Sequence, residues 1–225
     1  MKTFSLQQQT TLLESCVSVV GLGGLGGTVI EVLARMGIGT LNLIDGDTFE
    51  ESNLNRQFLS AEETLHEAKV EAAARRIQTV NSSVVVYTHR KYLSEKNTAA
   101  LVSQSNVIVD CLGSLQDRFV LEKAARKAGC PLVSAAVAGV SGHVTTVFPE
   151  DSGLELIYGK PDILPSAGAE AALGCLPQVT TLLAALECSE VSKILLNQEP
   201  LLRNHIIAVD LLDNSFEVLQ LSRPA

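Results

Sequence analysis

The chain has 225 residues, of which 46% are hydrophobic, 19% are charged and only 4% are aromatic, with no Trp. Its net charge of −8 argues against nucleic acid or an anionic membrane as the main partner, and no apolar run reaches the roughly 18 residues that span a bilayer. Because residues 1–11 are polar and the five cysteines form no Cys-x-x-Cys pair, the composition predicts a cytoplasmic protein without a disulfide framework or structural zinc.

The first strong signal is a strand, a glycine turn and a helix in immediate succession. The apolar residues 17–20 lead into Gly-Leu-Gly-Gly-Leu-Gly at 21–26, and a helical pattern covers 25–36. Glycines let the backbone turn sharply and approach a ligand, and a helix N-terminus offers free N–H groups to an anion. The succession predicts a phosphate-binding turn whose glycines are Gly21, Gly23, Gly24 and Gly26.

A second predicted strand, 40–44, leads directly into Asp45, nineteen residues after Gly26. A carboxylate at this spacing is placed to accept hydrogen bonds from ribose hydroxyls. A nicotinamide-dependent oxidoreductase would use the same acid. These features alone therefore predict nucleotide binding without deciding between ATP and NAD.

The remainder of the chain continues to alternate strands and helices, and its pattern changes only near the C-terminal end. Helices are predicted at 61–80, where Ser60 and Glu63 have capping-box spacing, and at 94–103 and 115–128. Strands are predicted at 84–86, 107–111 and 132–136. Later elements are an antiparallel region at 142–148, a loop at 150–169, a helical segment at 171–196 interrupted near Pro177, and a hairpin at 206–210 and 216–221.

This order predicts an α/β fold of the doubly wound, Rossmann-like type. The sheet should be mostly parallel, with an antiparallel extension at its C-terminal end. We find no repeat, low-complexity tract or linker that would divide the chain. Residues 1–225 are therefore interpreted as one nucleotide-binding domain.

The stretch from Asp45 to Lys69 distinguishes between the possible nucleotides. It contains Ser-Asn-Leu-Asn-Arg-Gln at 52–57, which a hydride-transfer site does not require. Arg56 and Lys69 are predicted to be exposed at the cleft near the helix N-terminus, where two cations would neutralise a transferring or leaving phosphate. The alternative is that both are ordinary solvated surface side chains.

Together these motifs resemble the ThiF/MoeB/HesA family, the prokaryotic relatives of the ubiquitin-activating enzymes. The resemblance continues through Val-Asp-Cys at 109–111, Gly-Val-Ser-Gly at 139–142 and Glu-Val-Ser-Lys at 190–193. It implies an adenylyltransferase that uses ATP and Mg²⁺. Its substrate would be the C-terminal glycine of a small ubiquitin-like sulfur carrier, ThiS- or MoaD-like, with a Gly-Gly end. Together with the apolar segments 132–140 and 171–196, it also predicts a homodimer.

The resemblance assigns roles to individual residues by position. Gly24 would lie at the phosphates and Asp45 at the ribose. Arg56 and Lys69 would be the catalytic residues, which stabilise the α-phosphate as the carboxylate attacks. The other implied nucleotide-binding residues are Ser52, Asn53, Gln57, Gly113 and Ser114.

The chain departs from the family in the loop after strand 107–111. Members usually carry an Asp there that helps to hold magnesium, whereas this chain has Gly113. Asp47, Asp110 and Asp117 are alternative ligands, although Asp110 is equally well explained as a cap of the following turn. The departure leaves open a second hypothesis, a scaffold or pseudoenzyme that binds nucleotide without efficient turnover.

The cysteines carry no strong prediction of chemistry. The family's thiol, where present, lies in the loop before the last long helix, and residues 166–171 contain no Cys. Cys175 lies beyond that loop and is interpreted as structural. Cys111 and Cys130 are predicted to be buried as small hydrophobic side chains.

Overall fold

The computed structural model of the chain describes residues 3–165 and 168–222. Its strands are β1 (Cys16–Val20), β2 (Thr40–Ile44), β3 (Val85–His89), β4 (Val107–Asp110), β5 (Leu132–Ala138), β6 (Ser141–Val147), β7 (His205–Asp210) and β8 (Ser215–Gln220). Its α-helices are α1 (Leu6–Glu14), α2 (Gly24–Met36), α3 (Lys69–Val80), α4 (Thr98–Val102), α5 (Leu115–Ala128), α6 (Glu155–Tyr158), α7 (Glu170–Leu173) and α8 (Pro177–Leu195).

All eight strands form one sheet in the order β3-β2-β1-β4-β5-β6-β7-β8. Strands β1 to β5 are paired in parallel, and β6, β7 and β8 are paired antiparallel. The strand order reverses between β1 and β4, which is the switch point of a doubly wound sheet. The predicted fold class is therefore confirmed.

Helices cover both faces of the sheet, as the continuous apolar runs of β1 and β4 require. One hydrophobic cluster joins α2, α3 and α8 to one face, with Val29, Leu33 and Leu183 fully buried. The other joins α4 and α5 to the opposite face, around Ile108 and Leu121. The ends of the parallel strands are therefore held between two layers.

Helix α1 is absent from the elements predicted by the sequence. Its apolar periodicity is weak, but Ser5 and Gln8 form a capping box in which each side chain accepts a hydrogen bond from the other residue's backbone N–H. Leu12 is fully buried, and its carbonyl accepts a hydrogen bond from Gly39 N at 3.1 Å. The cap stabilises the start of the helix, and one buried side chain with one backbone hydrogen bond attaches it to the rest of the fold.

The predicted helix 61–80 is wrong in its first two turns, because α3 begins at Lys69. The Ser60 hydroxyl donates to the Gln57 carbonyl at 2.6 Å and so does not cap a helix. A 3₁₀ turn, Glu62–Thr64, follows, and His66 has φ of 69°. This left-handed residue ends any helical path before α3 begins.

Other boundaries also differ from the prediction. The helix predicted at 94–103 forms only as α4, and β3 extends three residues beyond the predicted strand 84–86. The predicted loop 150–169 contains α6 and a 3₁₀ turn, Pro161–Ile163, while residues 166–167 lie outside the described part of the chain. The predicted interruption at Pro177 and the C-terminal hairpin are confirmed. Among the described helices, none has both the length and the apolar character needed to cross a bilayer.

Candidate functional site

A cleft of about 1010 Å³ opens at the carboxyl ends of β1, β2 and β4 and continues across one face of β5, β6 and β7. The crevice outside the carboxyl ends of the strands at the switch point is where open α/β sheets bind ligands. The predicted site residues that line this cleft are Gly21, Gly23, Gly24, Asp45, Arg56, Gln57, Lys69, Gly113 and Ser114.

The glycine turn is shaped by close backbone contacts. Gly21 has φ of +89°, and a Cβ there would lie 2.7 Å from the Cys111 carbonyl oxygen. A Cβ on Gly26 would lie 1.8 Å from the Gly21 carbonyl oxygen. Gly26 therefore lets α2 pack against the turn and does not line the cleft. Gly23 precedes α2 as its N-cap and Gly24 is its first residue, and both have N–H groups available to an anion.

Asp45 connects the glycine turn to the end of β2. Its Oδ2 accepts a hydrogen bond from Leu22 N at 2.6 Å, and its Oδ1 accepts one from Asp47 N at 2.8 Å. Each carboxylate oxygen can accept a further hydrogen bond. Asp45 is thus held rigidly at the cleft wall while it keeps acceptor capacity for hydroxyl donors.

Arg56 lies in a loop whose other polar residues hold it in place. Its Nη1 donates to the Ser52 carbonyl and to Asn55 Oδ1, both at 2.8 Å. Asn53 is buried, and its Oδ1 accepts a hydrogen bond from Glu50 N at 3.1 Å. Ser52 and Asn53 are not among the described residues that line the cleft, so their contacts here shape the loop that presents Arg56.

Lys69 does not have the exposed position predicted for it. It is only 5% exposed, at the start of α3, and its Nζ lies 2.7 Å from Asp47 Oδ2. Burial alone would raise the pKa of Asp47, but the Lys69 ammonium and the Thr48 amide outweigh it, so that this pKa is lowered. The ammonium therefore reaches the cleft as half of an ion pair.

The loop after β4 is held by a buried ion pair. Asp110 is fully buried, and its Oδ2 accepts hydrogen bonds from Arg118 Nη1 at 2.8 Å and Ser134 Oγ at 2.7 Å. Asp110 Oδ1 accepts from Leu112 N at 3.1 Å, while Arg118 Nη2 donates to the Leu112 carbonyl. Asp110 thus caps the turn, and both of its oxygens accept hydrogen bonds from the protein itself.

Gly113 leaves space where a carboxylate would otherwise project, because a Cβ built there meets no atom within 4 Å. The Ser114 hydroxyl caps α5 by accepting a hydrogen bond from Asp117 N at 3.2 Å. Asp117 lines the cleft and pairs with no cation among residues 3–165 and 168–222. Because Mg²⁺ on a nucleotide needs only one or two protein carboxylates besides phosphate oxygens, Asp117 has suitable chemistry for it.

Three aromatic or imidazole side chains in the cleft are missing from the sequence prediction. His143 Nε2 lies 3.1 Å from Tyr158 Oη, which joins β6 to α6. Burial, with a smaller effect of the Arg118 charge, lowers the pKa of His143 to about 4. The third is Tyr92, which follows β3. Its position after a parallel strand is a sequence signal for a residue at this edge of the sheet.

Two of the cysteines are buried as predicted, and a third lies in the cleft wall. Cys111 and Cys130 are buried, and burial raises the pKa of Cys130 to about 12. Cys175 is half-buried in the cleft wall, and its Sγ donates to the Val137 carbonyl at 3.6 Å. Burial also raises the pKa of Cys175, so this thiol remains protonated near neutral pH.

Known proteins of similar sequence align with most of the chain. The chain is 31% identical over 214 residues to the SAMP-activating enzyme E1 of Haloferax volcanii, which covers 94% of this chain and 78% of the relative. It is 32% identical over 220 residues to the adenylyltransferase and sulfurtransferase MOCS3 of Bos taurus, covering 97% of this chain. The chain spans about half of that relative, 48% of its length.

Solved structures share the fold. The crystal structure of PaaA superposes with a TM-score of 0.80 at 25% identity, covering 96% of this chain and 67% of that one. Escherichia coli MccB with ATP gives a TM-score of 0.82 at 23% identity, with the same coverage. The model of the ThiF family matches residues 1–225. The chain therefore belongs to the ThiF family.

Proposed function

We propose that this protein is an ATP-dependent adenylyltransferase. It would activate the C-terminal glycine of a small ubiquitin-like sulfur carrier, ThiS- or MoaD-like with a Gly-Gly end, as an acyl-adenylate. The observation that carries the proposal is one cleft containing the α2 N-terminus, Asp45, Arg56 and Lys69. The names of the two relatives, an activating E1 and an adenylyltransferase, support the same activity.

In the proposed reaction, a carboxylate oxygen of the terminal glycine attacks the α-phosphorus of ATP. The bond from that phosphorus to the bridging oxygen of the β-phosphate breaks, and pyrophosphate leaves with the electron pair. Negative charge increases on the phosphoryl oxygens during attack. The N–H groups of Gly23 and Gly24 together with Arg56 and Lys69 would stabilise this charge.

The existing hydrogen bonds of both cations leave donors for the nucleotide. Arg56 uses Nη1 on its own loop, so Nη2 and Nε remain. Lys69 Nζ has three hydrogens, of which one is directed at Asp47. Asp47 therefore orients the ammonium towards the cleft without using up its donors.

Magnesium is part of the proposal, with Asp117 as the residue expected to hold it. When bound, the ion would neutralise the phosphates and so ease the departure of pyrophosphate. Asp45 would bind the ribose hydroxyls. The backbone of Gly113 and Ser114 and the buried Gln57 would form the remaining walls of the nucleotide site.

The far end of the cleft supports an extended peptide as the second substrate. Its floor includes small side chains on one face of β5, β6 and β7, namely Ala136, Ala138, Ser141 and Ala208, together with the larger His143. Such a floor lets a backbone without side chains lie close to the sheet. A Gly-Gly terminus has this property.

The test is ATP–pyrophosphate exchange with purified protein, Mg²⁺ and a carrier that ends in Gly-Gly. We expect exchange that requires the carrier and is lost when its last glycine is removed. ATP should bind in calorimetry, and NAD should not. Binding of NAD with no binding of ATP would overturn the proposal in favour of an oxidoreductase.

A catalytically impaired scaffold is a second candidate, favoured by one observation. Gly113 provides no carboxylate at the loop after β4. In that case ATP would bind, but no exchange would occur with any carrier at any Mg²⁺ concentration.

We also propose that residues 1–225 act as one nucleotide-binding domain, in the cytoplasm and as a homodimer.

A further inference from the structure

Tyr92 has an unusual position at the edge of the cleft. Its ring lies flat against the backbone of Gly46, since a Cβ built on Gly46 would lie 2.8 Å from both Cγ and Cδ2 and 2.9 Å from Cδ1. Nearly equal distances to three ring atoms place the face of the ring, and not its edge, over the glycine. Tyr92 is nevertheless 71% exposed, so the opposite face is open.

The segment that carries Tyr92 is anchored despite this exposure. Asn97 Nδ2 donates to the Tyr92 carbonyl at 2.9 Å, and Asn97 Oδ1 accepts a hydrogen bond from Ser94 N at 2.9 Å. Asp45 N donates to the His89 carbonyl at 3.2 Å, which joins the ends of β2 and β3. An open aromatic face on a fixed support is a preorganised binding surface.

The position of this surface relative to Asp45 indicates what it binds. Gly46 follows Asp45 directly, so the ring lies next to the carboxylate proposed to hold the ribose. Leu93 and Leu112 line the same cleft and add apolar walls. A base attached to that ribose would meet an aromatic face and aliphatic side chains, the surroundings that favour stacking.

We propose that Tyr92 is the platform on which the purine base of ATP stacks, and that it thereby selects a nucleotide over other polyphosphates. This rests on the proposed function, because it assumes that ATP occupies the cleft. Stacking uses the face of the ring. The phenolic hydroxyl is therefore expected to contribute little.

The first experiment compares ATP with inorganic tripolyphosphate in calorimetric titrations of the whole chain. Tyr92→Ala should weaken ATP binding by roughly 5- to 150-fold, the range of stacking on one aromatic side chain, and leave tripolyphosphate binding unchanged. Tyr92→Phe should bind ATP within about twofold of the wild type. The matched control is Tyr87→Ala, because Tyr87 is 58% exposed on β3 but does not line the cleft.

The second experiment uses the absence of Trp from the chain. Tyr92→Trp would introduce a single indole, and stacking of the purine on it should quench its fluorescence. ATP should quench this emission, and tripolyphosphate at saturation should not. This signal reports contact with the base and is independent of turnover.

The outcomes separate this inference from the proposed function. If the wild type binds ATP and Tyr92→Ala binds it equally well, the stacking role is overturned while the adenylyltransferase proposal stands. Equal loss of ATP and tripolyphosphate binding would also overturn it, since it would indicate a general structural effect. If the wild type does not bind ATP at all, the proposed function fails and this inference fails with it.

Discussion

At the scale of single residues, we expect Arg56 to stabilise the negative charge that develops on the nucleotide phosphate. Arg56→Ala should reduce pyrophosphate exchange by roughly 10²- to 10³-fold, because one donor to the developing charge is lost. The fold should be unaffected, since this side chain bonds only within its own loop. Lys127→Ala on the exposed surface of α5 is the control. Exchange at the wild-type rate would show that Arg56 has no catalytic role.

Lys69→Met should cause a comparable loss of exchange by removing the ammonium while keeping the length of the side chain. Unlike Arg56, Lys69 is buried against Asp47, so its substitution also leaves that carboxylate without its cation. We therefore expect a lower melting temperature in addition to the loss of exchange. An unchanged melting temperature would indicate that the ion pair contributes nothing to stability.

His143 should make stability depend on pH. Its pKa is about 4 in the fold, compared with about 6.5 in the unfolded chain, so between these values only the unfolded chain binds the proton. The contribution of neutral His143 to the free energy of unfolding is therefore complete above about pH 6.5. It declines as the pH falls towards 4, by at most about 3 kcal/mol. Urea unfolding from pH 7 to 4 should show a shallower decline for His143→Gln than for the wild type. Parallel curves would contradict the lowered pKa.

At the scale of elements, we propose that the loop after β4 and the first turn of α5 determine whether magnesium is held. Asp117→Asn should weaken Mn²⁺ binding to the protein–nucleotide complex, measured by electron paramagnetic resonance, and should raise the Mg²⁺ requirement for exchange. Gly113→Asp should lower that requirement, because the Cβ has open space and the carboxylate is added to the loop directly before α5.

The double variant Gly113→Asp with Asp117→Asn separates the two positions. Recovery of metal binding would indicate that either site can supply the carboxylate. If neither substitution changes Mn²⁺ binding, the metal is held elsewhere. If both forms lack exchange with the correct carrier present, the pseudoenzyme hypothesis is favoured.

The boundaries of elements could be predicted only where local chemistry decides them. Pro177 starts α8 and Gly129 ends α5 in the left-handed conformation, and both are readable as local signals. The start of α3 has no such local signal in the sequence. The Ser60 hydroxyl bonds backwards to Gln57, and the preceding segment pairs with residues 47–49 through Phe49 N to the Glu67 carbonyl and Lys69 N to the Asp47 carbonyl.

At the scale of the whole molecule, we expect a homodimer, although for a different reason than the sequence suggested. Most of the apolar face of α8 is buried against α2 and the sheet and is not free for a partner. Large apolar side chains are exposed on the C-terminal hairpin instead, with Leu212, Phe216 and Val218 all more than half exposed. Exposed apolar patches of this kind commonly mark interaction sites.

Light scattering at high micromolar concentration should give twice the chain mass of 23.9 kDa. Phe216→Ser with Val218→Ser, which alternate along β8 and so share one face, should shift the protein towards the monomer. A wild-type mass of one chain would contradict the dimer. A dimer unaffected by the double variant would place the contact on another surface.

The sequence by itself determined the alternation of strands and helices from β1 to β5, the mostly parallel sheet and the position of the glycine turn. These depend on short-range spacing, because a strand, a glycine turn and a helix within twenty residues can be arranged in few ways. For the same reason, the sequence could predict that Asp45 and Arg56 lie near the glycine turn. Each lies at a strand end or in a loop that the sheet brings to one edge.

Only the tertiary structure decided which polar and aromatic groups remain available in the cleft. Asp110 bonds to Arg118, Lys69 pairs with Asp47, and the Tyr92 ring lies on Gly46. Each partner comes from another element of the fold, and no periodicity relates the two members of a pair. Packing brings them together, and a hydrogen bond within the protein leaves a group with fewer bonds to offer a ligand.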